Sequence, residues 1–182
     1  SVMEMVSAYT AFAKEGMRRA PRFVTKIEAA DGNVLATFVP QIQHVISSDA
    51  AWKMVELMRG VMDGGTGSRM RFKYNIKSPM GGKTGTTNDN SDGWFVGYTP
   101  SLAFGAWVGG DERDVHFASM AYGQGAASAL PVVATFLNRI YADESLGYNM
   151  EEDFEMPQNL KQEWSDAPDD LNEEEYVGSD AD

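Results

Sequence analysis

Three short strand-like runs at 83–87, 94–98 and 103–108 limit what this chain can fold into more than any other feature. The segments between them, 88–93 and 99–102, are crowded with Asn, Asp, Gly, Ser, Thr and Pro, residues that favour reversal of the backbone. A parallel crossover needs about a dozen residues or more, so links this short can join only antiparallel neighbours. The runs therefore predict an antiparallel meander. Helical patterns stand on both sides of it, which makes the expected class α+β, an antiparallel sheet flanked by helices.

Upstream, Val2, Met5, Val6, Tyr9, Phe12 and Ala13 recur at helical spacing, and Gly16 stops the pattern. Runs at 23–28 and 34–38 flank Asp31-Gly32, a favoured tight-turn pair, and predict a hairpin closed by Pro40. A second helix is expected after Ser47, Ser48 or Asp49, any of which can cap free N–H groups. Its buried stripe would hold Trp52, Val55, Leu57, Met58, Val61 and Met62, and Gly64-Gly65 would end it. The segment 67–79, with Arg69, Arg71, Lys73 and Lys77, reads as a basic loop. After Gly123-Gln124-Gly125 a last helix is predicted over 126–142, with Pro131 in its first turn and Val132, Val133, Phe136, Leu137, Ile140 and Tyr141 on its apolar face.

The net charge of −12 is local. Residues 151–182 carry thirteen of the 27 acids and one of the 15 bases, so residues 1–150 are neutral. The expected organisation is a folded body over 1–150 and a disordered acidic tail over 151–182, too poor in large apolar side chains to offset the entropy of ordering. Phe154, Trp164 and Tyr176 are the tail's aromatics, and any protein partner it has should meet them. The neutral body offers no basic stripe to nucleic acid. There is no cysteine, which removes disulfides and thiolate metal sites. No apolar run approaches the ~20 residues that span a bilayer. The chain opens on Ser1 without Met or leader and runs straight into a helix, so a longer parent is expected.

Several chemistries fail on spacing. Gly82-Lys83-Thr84 suggests a phosphate loop, but the Gly required five residues earlier is Lys77 and no helix pattern follows. His44 and His116 stand alone, far from metal-ligand spacing, and no metal or other cofactor is expected. Asp111-Glu112 and Asp89/Asp92 read as turn or capping carboxylates.

Lys83-Thr84-Gly85-Thr86 is different. On a strand, Thr84 and Thr86 share a face and can offer two hydroxyls to a carboxylate. Lys83 adds a fixed positive charge that steers an anion. Gly85 removes a side chain where a ligand backbone must come close. If the strand is an edge, its free N–H and C=O groups can pair with a peptide. Against this stands a purely structural role, in which Thr84→Val and Thr86→Val would change only stability.

The wider order is helix, Asp-Gly hairpin, helix, Gly65-Thr66-Gly67, Lys83-Thr84-Gly85-Thr86-Thr87, Asp92-x-Trp94-Phe95-Val96-Gly97-Tyr98-Thr99-Pro100, Gly-rich loop and Ala-Leu-Pro helix. Over about 1–150 this order resembles the C-terminal part of the transpeptidase domain of class A penicillin-binding proteins, the bifunctional peptidoglycan synthases. The resemblance implies part of a penicillin-binding/serine β-lactamase-like fold and an activity that crosslinks stem peptides through a serine acyl-enzyme. It implies that Lys83 faces the nucleophile, that Thr84 and Thr86 hold the carboxylate of a D-Ala-D-Ala stem or a β-lactam, and that the Thr86 N–H is an oxyanion-hole donor. Asp92 and Trp94 match a segment that braces the neighbouring strand. It also implies a membrane-anchored parent on the extracytoplasmic, periplasmic face, carrying a glycosyltransferase half.

The family's two other signatures, Ser-x-x-Lys and Ser-x-Asn, start at no serine of this chain. Its partner is then the upstream part of the same protein, and the chain by itself is expected to be inert. The rivals are a serine β-lactamase fragment, which would turn over a chromogenic β-lactam many times, and a non-catalytic envelope module that binds stem peptide without acylation.

Overall fold

The computed structural model describes residues 1–165. A three-stranded antiparallel meander forms the centre: β5 (Gly81–Thr86), β6 (Asp92–Tyr98) and β7 (Ala103–Gly109), in the order β5-β6-β7. Thr84 pairs with Phe95 and Phe95 with Ala106, which fixes the register across all three strands. Helix α1 (Val2–Ala13) packs on one face of the sheet and α5 (Ala129–Ala142) on the other. A central strand covered on both faces should be apolar at successive positions, and Phe95, Val96 and Tyr98 of β6 are all buried.

Alternation sends those side chains into two cores. Phe95 stacks on Phe104 at 6.4 Å, and this pair joins Leu130, Val133 and Leu137 of α5. On the other face Tyr98 meets Tyr9 at 6.2 Å and Phe12 at 5.9 Å. Burial pushes the Tyr98 phenol up, the nearby Tyr9 adding to it, so the ring stays neutral. Helix α2 (Ser48–Asp63), capped by the Ser47 hydroxyl, lies along the start of β5. A methyl on Gly81 would stand 3.1 Å from Met58 Cβ, and one on Gly82 3.0 Å from Met62 Sδ. Two glycines are what let α2 approach this closely.

The predicted hairpin forms over shorter strands, β2 (Lys26–Glu28) and β3 (Val34–Thr37). In sequence it is nested inside a second antiparallel pair, β1 (Met17–Arg19) with β4 (Ile42–His44), three-residue strands too short and too polar to show as a period-two pattern. The 67–79 segment, read as a basic loop, is mostly irregular but packed. It contains a helical turn, α3 (Arg69–Phe72), and buries Met70 and Ile76 completely. Arg71 donates to the carbonyls of Ile76 (3.0 Å) and Ser78 (2.6 Å) and to Asp63 Oδ1.

The helical faces also differ in detail. Leu57 of α2 is 69 % exposed, while Ala51 takes a buried place the stripe had not included. In α5 the buried face is Ala129, Leu130, Val133, Ala134 and Leu137, and Val132 and Phe136 point outward. A wide apolar surface cannot say which of two overlapping stripes meets the sheet.

Of the tail expected to be disordered, residues 151–165 have a defined course that ends in α6 (Gln158–Ser165), and residues 166–182 lie outside the described residues. The Phe154 ring meets Tyr98 edge-on at 5.7 Å, Asp153 pairs with Arg59 at 3.3 Å, and Asn159 Nδ2 donates to Asp49 Oδ1 at 2.7 Å. One aromatic placed on a prepared aromatic cluster overcomes a composition that otherwise favours disorder.

Candidate functional site on strand β5

Strand β5 pairs only with β6, so its other side is an edge among the described residues. The edge is not uniformly open. Gly81 and Gly82 are buried under α2, Thr84 and Gly85 are half-buried, and Lys83 and Thr86 are exposed. The accessible stretch is therefore the Lys83–Thr86 end.

Alternation puts Thr84 and Thr86 on the α5 side of the sheet, and both hydroxyls are held there. Thr84 Oγ1 lies 2.7 Å from Thr66 Oγ1. Two hydroxyls in one mutual bond leave one proton to give. Thr86 Oγ1 accepts the Gly125 N–H at 3.1 Å, so its own proton is also free for an acceptor. Both threonines are thus fixed in place: Thr86 keeps its own proton to offer, and the Thr66–Thr84 pair keeps one between them. Lys83 and Gly85 lie on the opposite pleat, and Lys83 Nζ donates to the Thr84 carbonyl at 2.8 Å. Among the described residues no carboxylate forms an ion pair with Lys83.

The partners Thr66 and Gly125 belong to Gly65-Thr66-Gly67 and Gly123-Gln124-Gly125, runs visible in the sequence without any sign of what they touch. Gly125 comes so near that an added methyl would sit 2.3 Å from the Trp94 carbonyl oxygen and 2.4 Å from that of Gly85. Asp92 is a brace. Its carboxylate accepts from Trp107 Nε1 at 2.8 Å, Thr87 Oγ1 at 3.0 Å and Ser91 Oγ at 3.2 Å, tying the β5–β6 link to β7. The Trp107 indole first, then the Thr87 hydroxyl, holds it below the usual carboxylate range. The indole in that brace is Trp107, on the strand beside Trp94.

A cleft of about 260 Å³ lined by Phe12, Trp52, Pro100 and Phe154 lies at the other end of the sheet, beside Tyr98. It has no residue in common with Lys83–Thr86. Among the described residues no group of His, Asp and Glu is placed to hold a metal ion, and no helix is long and apolar enough to cross a membrane.

A helix-flanked antiparallel sheet of this form is the fold of penicillin-binding protein transpeptidase domains. The comparisons narrow it. The model of the penicillin binding protein transpeptidase domain matches residues 1–108. Penicillin-binding protein 1A of Aquifex aeolicus is 33 % identical over 158 residues, 85 % of this chain and 20 % of the relative. Penicillin-binding protein 1A of Clostridium novyi is 32 % identical over 158 residues, 86 % of this chain and 17 % of the relative. The crystal structure of penicillin-binding protein 1A from Haemophilus influenzae superposes with a TM-score of 0.75 at 22 % identity, over 87 % of this chain and 28 % of that one, a likeness of fold. The chain belongs to the penicillin-binding protein transpeptidase domain family, and it spans about a fifth of the length of these curated relatives.

Proposed function

We propose that this chain is the carboxylate-binding wall of a serine D,D-transpeptidase that crosslinks peptidoglycan stem peptides. In the complete site a serine outside this chain attacks the carbonyl of the penultimate D-Ala of a donor stem. The terminal D-Ala leaves with its amine protonated, and the amine of a second stem resolves the ester. Thr84 and Thr86 donate to the terminal carboxylate of the donor, or to that of a β-lactam. Gly85 leaves room for the peptide backbone. The Thr86 N–H is one of two oxyanion donors, worth roughly 3 kcal/mol in the transition state. Lys83 faces the nucleophile and supplies positive charge beside it. The parent is membrane-anchored, works on the extracytoplasmic side and carries a glycosyltransferase half, expectations that rest on the family alone.

One observation carries this reading: two threonine hydroxyls share one face of an open strand end, Thr86 held by the Gly125 N–H with its own proton free and Thr84 bonded to Thr66 with one proton left between the pair. Removing the nucleophile from a serine hydrolase costs on the order of a millionfold in turnover, so the isolated chain should be inert. The test is labelling with a fluorescent penicillin, read by intact mass, on this chain and on its reading frame extended upstream through the domain. A single stable adduct on the extended form alone is expected. No adduct on either sinks acyl transfer, and repeated hydrolysis of a chromogenic β-lactam by the extended form would mark a β-lactamase instead.

A further inference from the structure

Thr66, which holds the Thr84 hydroxyl at 2.7 Å, has little freedom of its own. It lies in the turn that ends α2, and that turn is folded back on the helix. The Gly64 and Gly65 N–H groups both donate to the Gly60 carbonyl at 3.1 Å, and the Gly67 N–H donates to that of Val61 at 3.0 Å. A methyl on Gly65 would stand 2.9 Å from Val61 Cα. Thr66 therefore moves with the end of α2.

The segment after Glu151 grips the same helix. Near the start of α2, Asn159 Nδ2 donates to Asp49 Oδ1 at 2.7 Å. Near its end Arg59, the residue before Gly60, pairs with Asp153 at 3.3 Å. The Phe154 ring acts through Tyr98, which it meets edge-on. Tyr98 lies opposite Gly81 in the sheet, donates to Met58 Sδ at 3.6 Å and would stand 2.7 Å from a methyl on Gly81. It is the ring wedged between α2 and the start of β5, and Phe154 backs it. An O–H···O bond forms over only about 2.5–3.0 Å, so a shift of α2 by about half an ångström changes how the Thr84 proton is presented. Thr86 answers to a different element. Its hydroxyl is set by Gly125, in the loop after α4 (Met120–Gly123), which none of these grips touches.

We propose that Asp153, Phe154 and Asn159 are positioning residues for the carboxylate-binding strand, holding α2 so that Thr66 orients the Thr84 hydroxyl. The assignment rests on the proposed role of Thr84 in binding a carboxylate. It gives the segment after Glu151 a use in the reaction: lifting it slackens one of the two hydroxyls and leaves the other set.

The test has two arms. The first uses the 182-residue chain with ¹³C-methyl threonine. In Phe154→Ala the Thr66 and Thr84 methyl signals should shift while that of Thr86 stays. Asn159→Ala, at an exposed position, removes one grip without touching the core and should move the same two signals by less. Unmoved Thr66 and Thr84 signals in both variants overturn the proposal. An equal shift of all three also overturns it, because that marks a general loosening of the sheet. The second arm uses the reading frame extended upstream through the domain and times its acylation by fluorescent penicillin. Phe154→Ala should acylate about two- to tenfold more slowly, the range of such couplings, and still reach the native labelled fraction. A smaller labelled fraction at an unchanged rate would mean that the segment only stabilises the fold. In a Thr66→Val background the slowing should disappear, because the route is already cut; slowing that persists in full rules out Thr66 as the route. If the native extended form takes no label, the transpeptidase reading fails, and the methyl signals alone decide whether the segment sets Thr84.

Discussion

Gly125 shows how single residues hold this site together. Its N–H orients the Thr86 hydroxyl, and its bare Cα lets the Gly-rich loop lie against the backbone of both β5 and β6. Gly125→Ala would set a methyl 2.3 Å from the Trp94 carbonyl oxygen, and that atom cannot yield without moving the sheet. Overpacking of this kind costs about 1–3 kcal/mol, so urea unfolding should show a loss in that range; an unchanged midpoint would mean the loop can lift away freely. Asp92 makes a different kind of contribution. Its carboxyl is held below the ordinary 3.8, chiefly by the Trp107 indole and then by the Thr87 hydroxyl, so the folded state favours the ionised form. That stabilisation is complete above the ordinary carboxylate value and is lost as pH falls through the lowered one. The melting-temperature gap between the native chain and Asp92→Asn should therefore be widest near neutrality and close below pH 3.8. A gap that is flat with pH would remove the charge from the account. The strand chemistry of Thr84 and Thr86 was legible from residue types at period two. Their partners were not, because Thr66 and Gly125 arrive from 18 and 39 residues away and only the fold brings them in.

The elements best read from sequence are those whose pattern is local. The meander follows from link lengths, and the start of α2 from the Ser47 hydroxyl on the Ala50 N–H. The strap after Glu151 escaped because charge density hides a single anchoring ring. Phe154 is half-buried against Tyr98, in the cleft made with Phe12, Trp52 and Pro100. Asp153–Arg59 is a partly exposed pair and adds little beside it. The ring should therefore carry the docking. Phe154→Ala is expected to cost about 1–2 kcal/mol, less than a fully buried phenylalanine. Limited proteolysis checks it: cleavage within 151–165 should become much faster than in the native chain, while 1–150 resists as before. If Asp153→Asn frees the strap and Phe154→Ala does not, the ion pair is the anchor instead. The 67–79 segment was misread for a related reason. Arg71 looks like a surface charge until the carbonyls of Ile76 and Ser78 turn inward and need a donor.

At the scale of the molecule, the sheet has two edges and only one has an assigned use. Among the described residues β7 pairs with β6 alone, and its outer side is open. Trp107 on this strand is 39 % exposed, and in the β1–β2 and β3–β4 links Phe23 is 82 % exposed and Val39 77 %. An unpaired edge next to exposed apolar side chains is a template for a second chain. The charge distribution opposes this only from a distance: residues 1–150 are neutral, and the net −12 comes from the residues after Met150. A neutral body does not repel its copies, and added salt screens the repulsion that the acidic residues supply. The isolated chain should therefore gain mass with concentration in sedimentation velocity, and more steeply at high salt than at low. Hydrogen exchange then separates the two surfaces that could drive it. Slowed exchange over Ala103–Gly109 on association would mark the β7 edge as the contact, and extending the reading frame upstream through the domain should abolish it. Protection confined to Lys26–Glu28 and Val34–Thr37 would place the contact on the hairpin and leave β7 without a role. A chain that stays monomeric at every concentration and salt would show that neither surface is adhesive.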